Sequence, residues 1–389
     1  MCALGVCRVP HARVGGMRAA RKYTFLTPRV HSGHSHRSCS DADGTIVVWR
    51  LATRRAACAA RVAPPGAGVL AVRALMGVRA DDDGSSSASQ LLTQGRDGVV
   101  RLWDLGEDGR LGGGESKGAD GGALATVDTG SYSLCQLAAA PPSAGAPGGM
   151  GAVFAVASVD NGVAEVWDVR APRAPAVRVG RAERDMLPAE DDPPRVGACT
   201  ALSFAHAPSA QAGQSTPSLP LLLAGFESGD VRAYDLRKGS ESLGATDARR
   251  AACGSAPFSQ PVLSLATVMA AGGREVRCAA GGADTFGGAL ALTHGSSSDG
   301  GLNLASLGPL PGRAAGDIAA TAFCGDGRCI AAGGWDGAVR LFDWKRRRPL
   351  ARLRYHAQAV SEVAFCDGAG RTLASASRDG TVALWELDL

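Results

Sequence analysis

Aromatic residues are few, 5% of 389 positions, and alanine inflates the 45% hydrophobic fraction. Charge is nearly balanced: 41 basic and 37 acidic residues leave a net charge of +4, too little to make nucleic acid the default partner. No apolar run approaches the ~18 residues a membrane-spanning helix needs. The eleven cysteines form no Cys-x-x-Cys pair. Scattered cysteines in odd number, without a secretion signal, read as reduced thiols of an intracellular protein. There is no G-x-x-x-x-G-K-[ST], no H-E-x-x-H and no G-x-S-x-G. Residues 112–118 have the composition of a phosphate loop but no Gly-Lys-Ser and no helical pattern behind them, and read as a linker. His31, His34, His36 and Cys39 cluster, but their spacing fits no standard zinc pattern. No catalytic, cofactor-binding or metal-binding residue is therefore assigned.

What the chain does contain is one repeated word: a small-residue stretch, a tight turn, then an alternating stretch closing on an aromatic and an acid. Copies run from Asp43-Gly44 to Trp49, Asp97-Gly98 to Trp103-Asp104, Asp160-Asn161-Gly162 to Trp167-Asp168, and Glu227-Ser228-Gly229 to Tyr234-Asp235. The last two, the best written, run from Asp336-Gly337 to Phe342-Asp343 and from Asp379-Gly380 to Trp385-Glu386. Phe342 and Trp385 stand 43 residues apart, and a repeat of roughly 40–45 residues closing on Trp-Asp marks a WD40 propeller blade. The gap from Tyr234 to Phe342 has room for one more copy, which residues 281–292 fill with the aromatic lost and the turn enlarged. The expected fold is all-β: a seven-bladed WD40 β-propeller over residues 41–389, its fifth blade degenerate.

Each copy is physically coherent. The Asp-Gly pair makes a hairpin turn, glycine accepting positive φ and the aspartate bonding the turn backbone. Val382 and Leu384 alternate with Ala383 and Trp385, so both faces of the strand meet a neighbouring blade. Small residues before the turns, such as 331–334 and 374–377, suit a strand crowded near a central channel.

Between the copies lie Gly-, Ala-, Pro- and Ser-rich tracts at 81–89, 106–122, 138–151, 171–194, 205–220 and 295–316. Such compositions cannot bury a core and are expected to be disordered surface loops. Residues 1–40 hold seven basic residues other than histidine and no acid. They are expected to be a disordered basic leader, an organelle transit peptide being the other reading. Because the chain stops just after the third strand of its last blade, the outer strand is expected from the N-terminus. The first blade also needs inner strands before Asp41, and residues 22–27 are the one strand-like candidate; either they serve or the first blade is incomplete.

His356, Ser375, Asp379 and Trp385 match a blade's hydrogen-bonded tetrad, which makes His356 a structural histidine rather than a base; Ser375 is preferred over Ser377. A docking rim is expected beside the turns, where Arg96, Phe226, Trp335 and Arg378 supply aromatic and arginine anchors of the kind that dominate interfaces. Lys345-Arg346-Arg347-Arg348 reads as a solvated hairpin turn, with nuclear import or nucleic-acid contact as the sharper alternative.

The chain also resembles a known family, the ASTRA-associated protein 1 family, also called guanine nucleotide-binding protein beta subunit-like protein 1. The resemblance rests on Leu91-Leu-Thr-Gln-Gly-Arg-Asp97 with Leu102-Trp-Asp-Leu105, on Leu221-Leu-Leu-Ala-Gly-Phe-Glu227 and on Thr53-Arg-Arg-Ala56. It is strongest in Ala332-Gly-Gly-Trp-Asp336, Phe342-Asp-Trp344, Pro349-Leu-Ala351 and His356. The N-terminus, the enlarged loops and the fifth blade depart from it. The resemblance implies a non-enzymatic scaffold, without cofactor, in the nucleus or cytoplasm. Its partners would be other proteins in a chromatin-linked assembly that includes the co-chaperone machinery maturing phosphatidylinositol-3-kinase-related kinases. Direct nucleic-acid binding, membrane binding and self-assembly are not expected. The alternative function is a substrate receptor of a cullin-RING ubiquitin ligase, through the Trp-Asp-x-Arg words Trp167-Asp168-x-Arg170 and Tyr234-Asp235-x-Arg237.

Overall fold

The structure is a computed structural model. It describes residues 13–18, 23–26, 36–41, 44–50, 55–76, 89–106, 110–112, 122–140, 153–180, 196–208, 220–236, 250–255, 260–283, 287–294, 302–310, 317–366 and 370–388. Most of each tract expected to form a loop lies outside these residues, as does Arg237.

Among the described residues the strands pair into seven antiparallel sheets. The first holds Tyr23–Leu26, His36–Asp41, Thr45–Arg50 and Arg55–Arg61, paired in that order. The second holds Val69–Met76, Ser89–Gly95, Val99–Leu105 and Ala125–Asp128, with the short Leu111–Gly112 also on its third strand. The third holds Ala138–Ala139, Val153–Ala157, Val163–Asp168 and Val177–Gly180. Cys199–His206, Pro220–Phe226, Asp230–Asp235 and Arg250–Ser255 make the fourth. Val262–Met269, Glu275–Gly282, Gly288–His294 and Leu302–Pro309 make the fifth. Ile318–Phe323, Cys329–Gly334, Ala338–Asp343 and Arg348–Arg354 make the sixth. The seventh pairs Val360–Phe365, Thr372–Ser377 and Thr381–Glu386 with Arg13–Arg18 from the other end of the chain.

That last pairing runs from Arg13 opposite Glu386 to Arg18 opposite Thr381. Tyr23–Leu26, inside the segment singled out as strand-like, is the innermost strand of the first sheet, and Arg13–Arg18 forms the edge of the seventh. The seventh sheet is thus assembled from both ends of the chain.

The core is a series of layers between sheets. Each cluster of buried apolar side chains joins two sheets that follow one another in the chain. The remaining cluster joins the seventh sheet to the first, Val47 packing with Val382, Leu384 and Ala374. The sheets therefore close on themselves as a β-propeller. The aromatic that ends each repeat does the joining. Trp103, Trp167, Tyr234, Phe342 and Trp385 each lie buried in the layer toward the preceding sheet. In the fifth sheet Leu292 takes that register, opposite Val276, and is fully buried. A leucine fills the layer with less area than a tryptophan, which explains why the copy is hard to read in sequence.

Small residues before the turns have a specific cause. A Cβ on Gly281 would come 2.7 Å from the side chain of Ile318, and one on Gly333 2.7 Å from that of Val360. Ile318 and Val360 open the next inner strands and are buried at 2% and 0% exposure. The fifth and sixth sheets, and the fourth through Gly225 beside Val262, yield room at that point for the first apolar residue of the next sheet.

Candidate functional site

The turns of the repeated word form one rim, and one backbone hydrogen bond marks equivalent positions on it. The N–H of the residue just after the second strand donates to the carbonyl just before the innermost strand. Arg96 donates to Gly68, Glu227 to Ala198, Ala283 to Pro261, Trp335 to Asp317 and Arg378 to Ala359. Arg96, Trp335 and Arg378 are thus equivalent, as expected from their place before a turn aspartate. Phe226 is not. Glu227 occupies the rim position in the fourth sheet, and Phe226 ends the strand before it at 1% exposure. In sequence Glu227 reads as the turn acid, but it is Ser228 that stands where the other turns carry aspartate. Phe226 is a core residue, with the Arg232 guanidinium over its ring at 5.4 Å, and does not belong to a docking rim.

Trp335 and Arg378 come together across two sheets. The Arg378 guanidinium carbon stands 5.9 Å from the centre of the Trp335 ring, and Trp335 keeps 48% of its surface exposed. Such a stack orients both groups and leaves both open to solvent. The turn acids beneath are already engaged. Arg340 and Arg352 bond Asp336, the Arg352 contact at 2.7 Å. Burial works against the Asp336 carboxylate, but the Arg340 hydrogen bond, the Ala338 N–H and both arginine charges hold it at about 2. The stack therefore presents an arginine charge to solvent that the Asp336 carboxylate does not engage. Arg96 is exposed but lies on the second sheet, with the first sheet between it and the Trp335–Arg378 pair.

In the seventh sheet His356 Nε2 lies 2.7 Å from Ser375 Oγ, and the Trp385 indole N–H donates to the same oxygen at 2.9 Å. Asp379 closes the set through Thr381, whose hydroxyl donates to it at 2.6 Å and meets His356 Nδ1 at 2.7 Å. The direct His356 to Asp379 separation is 3.8 Å. Thr381 was not singled out from sequence, although it follows the turn glycine. Ser377 bonds the Gln358 carbonyl instead. Burial pushes the His356 imidazole below its ordinary value and Asp379 partly opposes this. The second sheet repeats the tryptophan bond, Trp103 to Thr93 at 2.9 Å, but Arg101 rather than a histidine meets its turn acid, Asp97.

Three exposed apolar residues went unnoticed in sequence: Tyr132, Leu134 and Val159, at 70%, 76% and 72% exposure. They flank the rim of the second and third sheets. The loop bearing the first two is pinned by Ser131 to the Ala157 carbonyl at 2.6 Å and by Gln94 to Leu137 N at 2.7 Å. They sit outside strand periodicity, so no pattern announces them.

Of the Trp-Asp-x-Arg words, Trp167-Asp168-x-Arg170 is described in full. Trp167 is buried, and Arg170 folds back onto Asp168 at 2.6 Å while 63% of its side chain stays exposed. In the second word Tyr234 and Asp235 are both buried. The basic run is the turn between the last two strands of the sixth sheet. Arg346 bonds Asp343 there, and Arg347 lies over the Trp344 ring at 5.2 Å.

Inner strands also surround a cavity of about 540 Å³. Arg73, Glu362 and Thr267 line it, and Arg73 donates to Gln136 at 2.6 Å. Burial raises the Glu362 carboxyl, opposed by Arg73 and by a hydrogen bond from Gln136. Among the described residues, no group of three or more His, Cys, Asp or Glu could hold a metal ion, and no helix is long and apolar enough to cross a membrane.

A ring of β-sheets carrying this turn, this aromatic closure and this tetrad is a WD40-repeat β-propeller. The family model for the WD domain, G-beta repeat, matches residues 305–343 and 347–386. The mouse protein named guanine nucleotide-binding protein subunit beta-like protein 1 is 26% identical over 376 residues, covering 96% of this chain and 94% of its own. The Schizosaccharomyces pombe ASTRA-associated protein 1 is 37% identical over 62 residues, 16% of this chain and 17% of its own. The β-propeller domain of Myceliophteria thermophila Cps50 (Swd1) superposes with a TM-score of 0.64 at 16% identity, over 97% of this chain and 100% of that domain. The chain is a WD40-repeat protein, and its relatives carry the two names of the family that its sequence words resemble.

Proposed function

We propose that this protein is a non-enzymatic docking scaffold whose seven sheets are the blades of one WD40 ring, the fifth being the degenerate copy. The observation that carries the reading is the exposed Trp335–Arg378 stack, built across two sheets over acids that are already paired. An aromatic and an arginine held rigid and open are the side chains that most often anchor protein interfaces. The name of the yeast relative supports association with an assembly of the ASTRA type; residence in the nucleus or cytoplasm and service to maturation of phosphatidylinositol-3-kinase-related kinases are what the family resemblance adds to the proposal. Affinity purification of tagged full-length protein tests the reading. Trp335→Ala or Arg378→Glu should reduce partner recovery at least about tenfold with an unchanged circular dichroism spectrum. Undiminished recovery from both folded variants would overturn it.

A second reading, a substrate receptor for a cullin-RING ligase, draws support from the outward exposure of Arg170. Arg170→Ala should then abolish recovery of the ligase adaptor and leave the Trp335-dependent partners in place.

A further inference from the structure

The hairpin between the first two strands of the sixth sheet carries a cysteine on each side of its turn. Cys324 donates its N–H to the Cys329 carbonyl at 3.0 Å, and the Cys329 N–H donates to the Cys324 sulfur at 2.9 Å. Gly327, at φ +68°, closes the turn by donating to the Cys324 carbonyl at 2.9 Å. Cross-strand neighbours in an antiparallel pair stand within the span a disulfide can bridge. The corresponding pairs in the fifth and seventh sheets lack this. Ala270 faces Glu275, and Cys366 faces Thr372.

Cys324 also lines the 540 Å³ cavity, together with Gly325 and Cys366. Cys324 is only 2% exposed, so its place in the cavity wall is the route by which a small molecule would meet it. Its sulfur sits 2.8 Å from Asp326 Oδ1, and Asp326 is neutralised by Arg328.

We propose that Cys324 and Cys329 form a peroxide-oxidisable dithiol, a modification site for a small hydroperoxide, with Cys324 reacting first and Cys329 resolving. In the first step the Cys324 thiolate attacks one peroxide oxygen. The S–O bond forms, the O–O bond breaks, and hydroxide leaves and is protonated to water. In the second, the Cys329 sulfur attacks the Cys324 sulfur. The S–S bond forms, the S–O bond breaks, and the hydroxyl departs with the Cys329 proton as water. Two thiols lose two electrons and two protons, and one hydrogen peroxide becomes two waters. The order follows from the local hydrogen bonds. The neighbouring Cys329 side chain, together with the Cys329 N–H that donates to the Cys324 sulfur, brings Cys324 down against opposition from burial and Asp326. The neighbouring Cys324 side chain and burial push Cys329 up. Reactivity with peroxide follows thiolate character.

Brief exposure of the native full chain to hydrogen peroxide, followed by alkylation, trypsin and mass spectrometry, tests this. Trypsin cuts after Arg328, so the disulfide would join peptide 314–328 to peptide 329–340. That joined species should accumulate, with Cys324 oxidised at least about tenfold faster than Cys278, whose thiol burial pushes up to about 12. In Cys329→Ser, Cys324 should persist as a sulfenic acid that dimedone traps; in Cys324→Ser, Cys329 should stay reduced. The wild-type rates decide the matter even if a variant misfolds. Oxidation of Cys324 no faster than Cys278, or a bond from Cys324 to Cys366, would overturn the proposal.

Discussion

His356 Nε2 and Ser375 Oγ meet at 2.7 Å, which ties the loop entering the seventh sheet to that sheet's second strand. Ser375 is 0% exposed and serves Trp385 as well, so one hydroxyl satisfies two buried ring nitrogens. Ser375→Ala leaves both without that partner and should cost about 2–3 kcal/mol of unfolding free energy. Ser377→Ala, which loses the Gln358 bond, should cost about 1 kcal/mol. Urea unfolding of both variants measures the difference, and equal losses would contradict the shared-oxygen geometry.

The same histidine predicts a pH dependence. Its folded value lies below the ordinary 6.5 because burial disfavours the imidazolium. The unfolded chain therefore takes up a proton that the folded chain resists. Stability from this source is complete above about pH 6.5 and is lost as pH falls through the folded value. Asp336 acts in a separate window, its contribution being lost only as pH falls from 3.8 through about 2. His356→Gln should lower stability at pH 7.5 and flatten the fall between about pH 6.5 and 5, measured as the urea midpoint against pH.

Gly337 and Gly66 separate backbone strain from collision. Both have positive φ, +74° and +85°, but a Cβ on Gly337 would meet the His356 carbonyl oxygen at 2.6 Å and one on Gly66 would meet nothing within 4 Å. Gly66→Ala should cost about 1 kcal/mol, the left-handed penalty alone. Gly337→Ala should cost more than about 2 kcal/mol, because the carbonyl cannot move without breaking the rim. Thermal unfolding of the two variants reads this directly.

Phe226 and Trp335 offer a contrast between core and rim. Phe226→Ala opens a cavity in the layer between the third and fourth sheets and should cost about 3–5 kcal/mol, while the protein that remains folded keeps its partners. Trp335→Ala should lose partners with less than about 1 kcal/mol of stability. A loss of partners from folded Phe226→Ala protein would restore Phe226 to the rim.

The all-β propeller and the tetrad residues were readable before the structure because they are local. The turn glycines, the period-two stretches and the 43-residue spacing from Phe342 to Trp385 are all written within a few tens of residues. The fourth turn misleads for the same reason. Glu227 looks like a turn acid in a string of letters, and only the hydrogen bond from its N–H to Ala198 shows that Ser228 holds that place. Leu292 hides its role because burial depends on what faces it, and Val276 and the fourth sheet supply that.

By itself, the sequence determined which residues turn, which alternate and which aromatic closes each copy, since each depends on backbone preference and side-chain period over a few positions. Tertiary structure alone decided that Arg13–Arg18 completes the seventh sheet, that Arg378 stacks on Trp335, that Thr381 links His356 to Asp379, and that Cys324 faces Cys329 beside a cavity. Each of these contacts depends on which backbones lie side by side. That is set by ring closure for the first, by packing between neighbouring sheets for the second, and by hairpin and loop geometry for the others, where spacing in the chain gives no distance.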